Sequence, residues 1–169
     1  MSDLYTEVIV KKKTTAKDMI LKSLLIAATA LAVFAFFFTT LGVIALAAVL
    51  ALGVADYFLL PSFQVEYEYT YVNGEIDVDK IMSKKKRKSV YKADIKDLEI
   101  MAPSDSHALD SYKNRQDIKT YNFSSLEEQN KTYTMIFKGE KGMEQVIFEP
   151  NEVILKDMKR IAPREVNLY

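Results

Sequence analysis

The chain has 169 residues, of which 49% are hydrophobic, and its 23 basic and 23 acidic residues give a formal net charge of zero. The absence of cysteine agrees with a reducing compartment, and together with a single histidine it leaves no conventional zinc ligand set. We therefore expect no metal ion and no other cofactor.

Charge is distributed unevenly along this neutral chain. Residues 23–60 contain one charged residue, Asp56. A helix over the whole apolar run would be about 57 Å long, nearly twice the hydrocarbon thickness of a bilayer. The TTLG stretch at 39–42 interrupts the run, so the sequence predicts two spans, near residues 19–38 and 43–60, that form a transmembrane helical hairpin. A soluble pair of helices is the alternative, but such helices would have only each other to face.

Basic residues flank the predicted hairpin on both sides, whereas the connecting turn is uncharged. By the positive-inside rule, both termini then face the cytoplasm and the protein is a multi-pass protein of the plasma membrane. The sequence predicts a basic cytoplasmic N-terminal segment over 1–18, the transmembrane hairpin over 19–60 and a cytoplasmic domain over 61–169. The lysines before the apolar run are Lys11, Lys12, Lys13, Lys17 and Lys22.

Asp56 lies within the second span, where a carboxylate is costly unless it is paired. If the turn is centred near residues 40 and 41, antiparallel helices place Asp56 opposite residue 25, about one turn deeper than Lys22. Asp56 is therefore expected to form an ion pair with Lys22 within the membrane, or to extend toward the cytoplasmic headgroups.

Small residues recur at every fourth position on both spans, which would let the two backbones approach closely. This spacing predicts a helix contact face built from alanines. Alternatively, the alanines only reflect how common this residue is in membrane spans. These alanines are Ala28 and Ala32 on the first span and Ala47, Ala51 and Ala55 on the second.

Beyond the hairpin, apolar and polar residues alternate with the period of a strand that has one buried face. Tyr67, Tyr69 and Tyr71 are on the apolar side, and Asn73-Gly74 predicts a two-residue hairpin turn into a second strand. Carboxylates share the other face, which is expected to be solvated and neutralised by lysines of a neighbouring strand rather than to bind a cation. They are Glu66, Glu68, Glu75, Asp77 and Asp79.

A run of five cations follows the second of these strands. Because that strand returns toward the membrane exit, the run is expected to meet the inner leaflet, where each basic residue near anionic lipid contributes about 1 kcal/mol. Alternatively, the run only fixes the topology and forms a solvated hairpin tip. A nucleic-acid site is not expected, since no aromatic stacking platform accompanies the run. The lipid-contact candidates are Lys11, Lys12, Lys13, Lys84, Lys85, Lys86, Arg87 and Lys88.

The remaining sequence predicts four more strands and a helix. Residues 89–101 are expected to form one strand whose alternation slips near residues 95–98, as it would at a bulge. A polar loop or short helix follows, then a strand at 118–123 and two strands at 132–138 and 144–149 that are joined by a Gly139–Gly142 turn. An amphipathic helix over 151–162 is expected to end before Pro163.

This order of elements resembles that of uncharacterised bacterial two-span membrane proteins with a C-terminal pleckstrin-homology-like (PH-like) domain. The resemblance rests on VEYEYTYVNGEIDVDKI, DIKDLEIMAP, TYTMIF, EQVIFEP and EPNEVILKDMKRIAP. It implies a membrane α-helical hairpin plus an α+β domain, in which a PH-like antiparallel β-sandwich or barrel of six or seven strands is closed by a C-terminal helix. In eukaryotic relatives a basic first-hairpin loop holds inositol phosphates. Here Asn73-Gly74 occupies that position, so phosphoinositide binding is not expected.

The sequence contains no convincing catalytic motif. The contiguous Ser104-Asp105-Ser106-His107 cluster lacks the separated, oriented base that nucleophilic catalysis needs, and no glycine-rich phosphate loop is present.

The expected function is that of a non-enzymatic interaction or scaffold protein, anchored in the membrane and presenting its PH-like domain on the cytoplasmic face. The alternatives are an electrostatic anionic-lipid binding module and an accessory subunit of a membrane transport complex. The expected partners are the lipid bilayer, including anionic lipids, and a protein that the sequence does not identify; a homo-oligomer is allowed, and nucleic acid is not expected.

Overall fold

A computed structural model describes residues 4–40, 42–113, 115, 117–139 and 142–169. The chain forms two compact units. The helical unit comprises Thr14–Val65 and Met82–Lys86, and the sheet unit comprises the residues up to Lys13 together with Glu66–Ile81 and Arg87–Tyr169.

The helical unit contains α1 (Ala16–Phe38) and α2 (Gly42–Leu59), and α2 continues into a 3-10 turn at Leu60–Phe63. Both helices are long and apolar enough to cross a membrane. The first helix begins three residues earlier than the sequence predicted because Thr15 and Asp18 form a capping box. The Asp18 amide donates to Thr15 Oγ1 (3.2 Å), and the Thr15 amide donates to Asp18 Oδ2 (3.1 Å).

The contact face of α2 differs from the predicted alanine stripe. Ala45 is buried, and Val49, Leu52 and the predicted Ala55 are half-buried, whereas the predicted Ala47 and Ala51 are exposed. The larger side chains of Val49 and Leu52 therefore contribute to the less exposed face of α2, where the sequence predicted only small residues. On α1 the predicted Ala28 and Ala32 are half-buried. Large apolar side chains cover the outward faces, among them Leu24, Leu31, Phe34, Phe37, Val43, Leu50 and Val54.

The first sheet has the order β1-β2-β3-β4 and consists of β1 (Tyr5–Lys11), β2 (Val65–Val72), β3 (Glu75–Met82) and β4 (Lys86–Asp94). Its first strand lies within the segment that the sequence predicted only as a basic N-terminal stretch. Strand β1 runs antiparallel to β2, with Tyr5 opposite Val72 and Lys11 opposite Glu66. The two helices are thus inserted in the chain between two hydrogen-bonded neighbours of one sheet.

The predicted Asn73-Gly74 turn is confirmed. Strand β2 ends at Val72 and β3 begins at Glu75, and both turn residues have positive φ (48° and 97°), as a type I′ hairpin turn requires. The next turn is shorter than predicted. Ser83 and Lys84 have φ values of 47° and 57°, and β4 already begins at Lys86.

The predicted single strand over 89–101 is wrong, because the chain passes from one sheet to the other within it. Strand β4 ends at Asp94, a 3-10 turn covers Ile95–Asp97, and β5 (Leu98–Pro103) belongs to the second sheet. The Asp94 carboxylate caps the turn by accepting from the Lys96 amide (2.9 Å). The bulge lies inside β5, where the register shifts between Leu98 and Ile100.

The second sheet has the order β5-β7-β8-β6, with β6 (Lys119–Asn122), β7 (Tyr133–Gly139) and β8 (Gly142–Phe148). Strands β6 and β8 are parallel, so the predicted all-antiparallel arrangement is wrong at this pair. In the described parts of the chain the two sheets have eight strands, against the six or seven predicted. Glu140 and Lys141 of the predicted turn lie outside the described residues, and Gly139 pairs with Gly142.

Two helices complete the sheet unit, α3 (Asp110–Lys113) in the predicted polar segment and α4 (Glu152–Ile161) within the predicted range 151–162. Asn151 caps α4 by accepting from the Ile154 amide (2.9 Å). After α4 the chain returns to β5, where the Met101 amide donates to the Glu165 carbonyl (2.8 Å). Closure of the two sheets into a barrel stays a prediction.

The core of the sheet unit lies between the two sheets. Tyr69 of β2 is fully buried, packs edge-on against Phe148 of β8, and donates its hydroxyl proton to the Phe123 carbonyl (2.7 Å). The hydroxyl of Tyr71 reaches α4, where it donates to Asp157 Oδ2 (2.8 Å). These tyrosines place their rings in the core and still satisfy their polar ends, as buried tyrosines usually do.

Candidate functional site

The five cations of the polybasic run are divided between the two units. Lys84, Lys85 and Lys86 belong to the helical unit, and Arg87 and Lys88 to the sheet unit; all five are exposed. Lys84 is in the turn before β4, and the last three members of the run are in β4 itself.

Arg87 has a partner within its own sheet. Its guanidinium forms an ion pair with Glu68 of β2 and a second, at 3.7 Å, with Asp79 of β3. The side chain of Glu68 is only 6% exposed, so this carboxylate depends on Arg87 for its counter-charge. Cations of the neighbouring strand thus neutralise part of the acidic face, as the sequence predicted. Besides Arg87, a lysine of β4 takes part, since Lys92 forms an ion pair with Asp77 of β3 (3.2 Å).

The N-terminal lysines of the candidate set are also tied to the sheet unit. Lys11 is the last residue of β1 and lies opposite Glu66, and the Lys13 amide donates to the Ser125 carbonyl (2.7 Å). Their backbone is therefore fixed, while Lys11 and Lys13 are exposed and Lys12 is half-buried. Lipid contact by the eight candidate residues stays a prediction.

A cavity of about 640 Å³ lies at the open end of the helical hairpin, inside the helical unit. Its wall combines residues from the start of α1, the end of α2, the 3-10 turn and the turn that begins the polybasic run. The polar residues of this wall are Lys22, Asp56, Tyr57, Gln64, Ser83, Lys85 and Lys86. The cavity therefore gathers three lysines and one carboxylate that are far apart in the sequence.

Asp56 is bonded within the hairpin to a residue that the sequence reading missed. Its Oδ2 accepts a hydrogen bond from Thr29 Oγ1 (2.9 Å), whereas its buried Oδ1 has no hydrogen-bond partner among the residues that the structure describes. Lys22 lines the same cavity as Asp56, and a direct ion pair between them stays a prediction. Thr29 lies one helical turn further along α1 than the residue expected opposite Asp56.

Backbone contacts hold the rim of the cavity. The Ser83 amide donates to the Gln64 carbonyl (2.8 Å), which ties the turn before β4 to the end of the 3-10 turn. The Lys86 ammonium lies 5.3 Å from the ring centroid of Tyr57 and 5.1 Å from that of Phe58, within the range of cation–π attraction. The arrangement is suited to holding an anion beside an aromatic wall.

The Ser104–His107 cluster lies in the sheet unit, along a cleft of about 860 Å³. The side chain of His107 is 98% exposed and contacts Asp110 at 3.0 Å, whereas Ser104 Oγ is 2.9 Å from Thr134 Oγ1. The serine hydroxyl therefore has a partner other than the histidine. Among the described residues, no three His, Cys, Asp or Glu side chains are grouped so that they could hold a metal ion.

A family model described as Bacterial PH-like domain (DUF6106) matches residues 2–168. The chain belongs to this family. The match begins before β1, so the PH-like part of this bacterial PH-like protein spans most of the chain and is not restricted to residues 61–169. PH-like domains are in general non-catalytic modules that bind lipids or proteins, and no enzymatic family is indicated. No curated protein and no solved structure matches the chain.

Proposed function

We propose that this PH-like protein is a membrane-anchored, non-enzymatic interaction module that presents its sheet unit on the cytoplasmic face of the plasma membrane. The observation that carries the proposal is the insertion of two apolar helices between β1 and β2. Because these strands pair along their whole shared length, both ends of the helical hairpin must lie on the same side of a bilayer. Two helices that each cross the bilayer meet this requirement, whereas a single crossing helix would leave its two ends on opposite sides.

Charge supports the cytoplasmic side. In the chain, basic residues flank the two helices on both sides, as the lysines that precede α1 and the polybasic run after β3, and the sequence between the helices contains no basic residue. The exposed apolar side chains on both helices support the membrane as their surroundings, since water would otherwise face a large continuous apolar surface.

For protein binding, the surface we favour is the edge of the first sheet at β1. An edge strand presents unpaired backbone groups to which another chain can add a strand. On the outer face of β1, Tyr5 is 60% and Ile9 is 61% exposed, which gives a partner two apolar anchors. Electrostatic lipid binding is the second candidate function, and the exposed Lys84 and Lys85 favour it.

Anchoring is tested by replacing residues 14–63 with a short glycine-serine linker. Since Lys11 and Glu66 are opposite each other, a tight linker can join the two strands. The full-length chain is expected in the carbonate-resistant membrane fraction, and the hairpin-free variant in the soluble fraction without detergent. Full-length protein that is soluble without detergent, or a hairpin-free variant that still sediments with membranes, contradicts the proposal.

Partner binding is tested at the exposed edge. Ile9→Asp is expected to remove the protein partner that co-purifies with the full-length chain from native membranes, because a charge replaces an apolar anchor. Val153→Asp, at an exposed apolar residue of α4, is the matched control and should retain the partner. Equal retention by both variants contradicts the assignment to β1.

A further inference from the structure

The cavity at the open end of the helical hairpin has an excess of positive charge. Lys22, Lys85 and Lys86 line it together with a single carboxylate, that of Asp56. The single carboxylate offsets only one of these three positive charges, so a bound anion would reduce the repulsion among the lysines. The volume of about 640 Å³ is within the range of small-ligand sites, about 300–1,000 Å³. The cavity is thus suited to an anionic group larger than a simple ion.

The carboxylate adds a second requirement to the ligand. Asp56 Oδ2 already accepts from Thr29, but in the described part of the chain no group donates to the buried Oδ1. A buried acceptor without a partner lowers the stability of the fold, and more so if it is charged. A ligand with an anionic group would pair with the lysines, and a hydroxyl on the same ligand could donate a hydrogen bond to Asp56.

The position of the cavity along the helices points to a source for such a ligand. Lys22 is the last charged residue of α1 before its apolar stretch, and Asp56 and Tyr57 are in the last turn of α2. In a hairpin that crosses the bilayer, these residues lie at the depth of the lipid headgroups, where tyrosine is enriched and basic pockets bind anionic headgroups.

We propose that this cavity binds the headgroup of an anionic glycerophospholipid of the inner leaflet, with the phosphate held by Lys22, Lys85 and Lys86 and a headgroup hydroxyl donating to the Asp56 carboxylate. The proposal rests on the membrane anchoring proposed above. It gives two members of the polybasic run a specific role. Lys85 and Lys86 line the cavity, whereas Lys84 and Lys88 are not part of its lining.

The test is native mass spectrometry of the full-length protein in neutral detergent, titrated with phosphatidylglycerol, with phosphatidylmethanol and with phosphatidylcholine. Phosphatidylmethanol keeps the phosphodiester charge but lacks the hydroxyl, and phosphatidylcholine has no net charge. The expected order of affinity is phosphatidylglycerol above phosphatidylmethanol above phosphatidylcholine. Equal affinity for all three lipids overturns the proposal.

Matched double variants separate a cavity from diffuse attraction. Lys85→Gln with Lys86→Gln is expected to lower phosphatidylglycerol affinity about 10-fold or more. Lys84→Gln with Lys88→Gln removes the same charge from the same run and should change affinity less than about 2-fold. If both pairs weaken binding equally, the attraction is diffuse and the site is wrong.

The carboxylate is tested by Asp56→Leu, which should abolish the preference for phosphatidylglycerol over phosphatidylmethanol. Thr29→Val, which removes only the internal donor, should keep that preference. A preference that survives in Asp56→Leu overturns the role of Asp56. Membrane extraction of the same variants is independent of lipid selectivity, so failure of the lipid site is distinguishable from failure of the proposed anchoring.

Discussion

Arg87 and Lys88 are neighbours in β4 whose charges have different surroundings. Arg87 is the counter-ion of Glu68, whereas Lys88 is an exposed residue that takes part in no ion pair of the described structure. The sequence shows both as members of one basic run. Only the pairing of β2, β3 and β4 in one sheet distinguishes them, because it brings Glu68 and Asp79 to Arg87.

We expect Arg87→Gln to lower the free energy of unfolding by about 1–3 kcal/mol, because it leaves the carboxylate of Glu68 buried without a counter-charge. Lys88→Gln is the control and should change it by less than about 0.5 kcal/mol. The measurement is denaturant unfolding of the full-length protein in detergent, followed by near-ultraviolet circular dichroism of its tyrosines. Adding Glu68→Gln to Arg87→Gln should recover most of the loss, and a failure to recover contradicts the ion pair as the cause.

The buried Tyr69 and Tyr71 and the half-buried Tyr91 make the sheet unit sensitive to high pH. Burial raises the pKa of Tyr69, Tyr71 and Tyr91 well above the ordinary value of 10.0. Hydrogen bonds to carboxylates raise the pKa further for Tyr71, which donates to Asp157, and for Tyr91, which donates to Glu144. In the folded protein these hydroxyls stay protonated at a pH where the unfolded chain has lost the same protons.

The stability of the sheet unit is therefore expected to be unaffected by these groups below pH 10 and to fall as the pH rises above it. Above the unfolded pKa the unfolded state binds fewer protons, so the loss is about 1.4 kcal/mol per pH unit for each such tyrosine. The measurement is absorbance at 295 nm against pH, with circular dichroism on the same samples. Part of the absorbance change should coincide with unfolding, and independent titration of all ten tyrosines in a folded protein contradicts the prediction.

At the scale of elements, β1 has one inward and one outward face. Val10 is 8% exposed, whereas its neighbour Ile9 is 61% exposed, as the two-residue period of a strand requires. The sequence TEVIV is rich in β-branched residues and contained this signal. The lysines that follow it also fit the basic segment that flanks a membrane span, and the strand with which β1 pairs lies beyond two helices. For these two reasons a strand was not predicted here.

We expect Val10→Asp to destabilise the sheet unit by about 2–4 kcal/mol, because the charge would be buried without a partner. Ile9→Asp makes the same chemical change one residue earlier, on the exposed face, and should cost less than about 1 kcal/mol. Thermal unfolding of the two full-length variants in detergent gives the comparison. Similar losses for both would show that β1 does not pack with the alternation described.

The observed register of the two helices differs from the register predicted from the position of the turn. A turn centred at residues 40 and 41 predicts residue 25 opposite Asp56, but the structure places Thr29 there. The difference is one helical turn. Leu41 is outside the described residues, so the position of the turn is seen only through the helix ends at Phe38 and Gly42.

At the scale of the molecule, the connection between the sheet and the hairpin restricts the topology. One strand precedes the two helices and its partner follows them, so β1 and the strands after the helices belong to one folded body. A topology with the termini on opposite sides of a bilayer would separate β1 from β2. The pairing therefore adds a constraint that is independent of the lysine distribution.

The absence of native cysteine allows a direct test of this topology. Single cysteines at Thr6 of β1 and Ser111 of α3 are expected to resist a membrane-impermeant maleimide in intact cells and to react after permeabilisation. A cysteine at Thr40, between the helices, should react in intact cells. Labelling of Thr6→Cys or Ser111→Cys from outside contradicts the cytoplasmic assignment, and opposite results for the two contradict the pairing of β1 with β2.

The features that depend on local pattern were predictable from the amino-acid sequence. Two apolar runs of helical length, the Asn73-Gly74 turn, the alternation of the tyrosines and the amphipathic helix before Pro163 all depend on neighbours within a few residues. Such signals are readable because side-chain periodicity and turn geometry are properties of the local chain.

Which distant residues meet became visible only in the folded chain. It joined β1 to β2 across the helices, divided residues 89–101 between two sheets, paired β6 with β8 in parallel, and gave Arg87 to Glu68. It also gathered Lys22, Asp56 and Lys85 around one cavity. The physical reason is that strand partners and buried ion pairs are chosen by long-range packing and desolvation, which leave no fixed spacing in a single sequence.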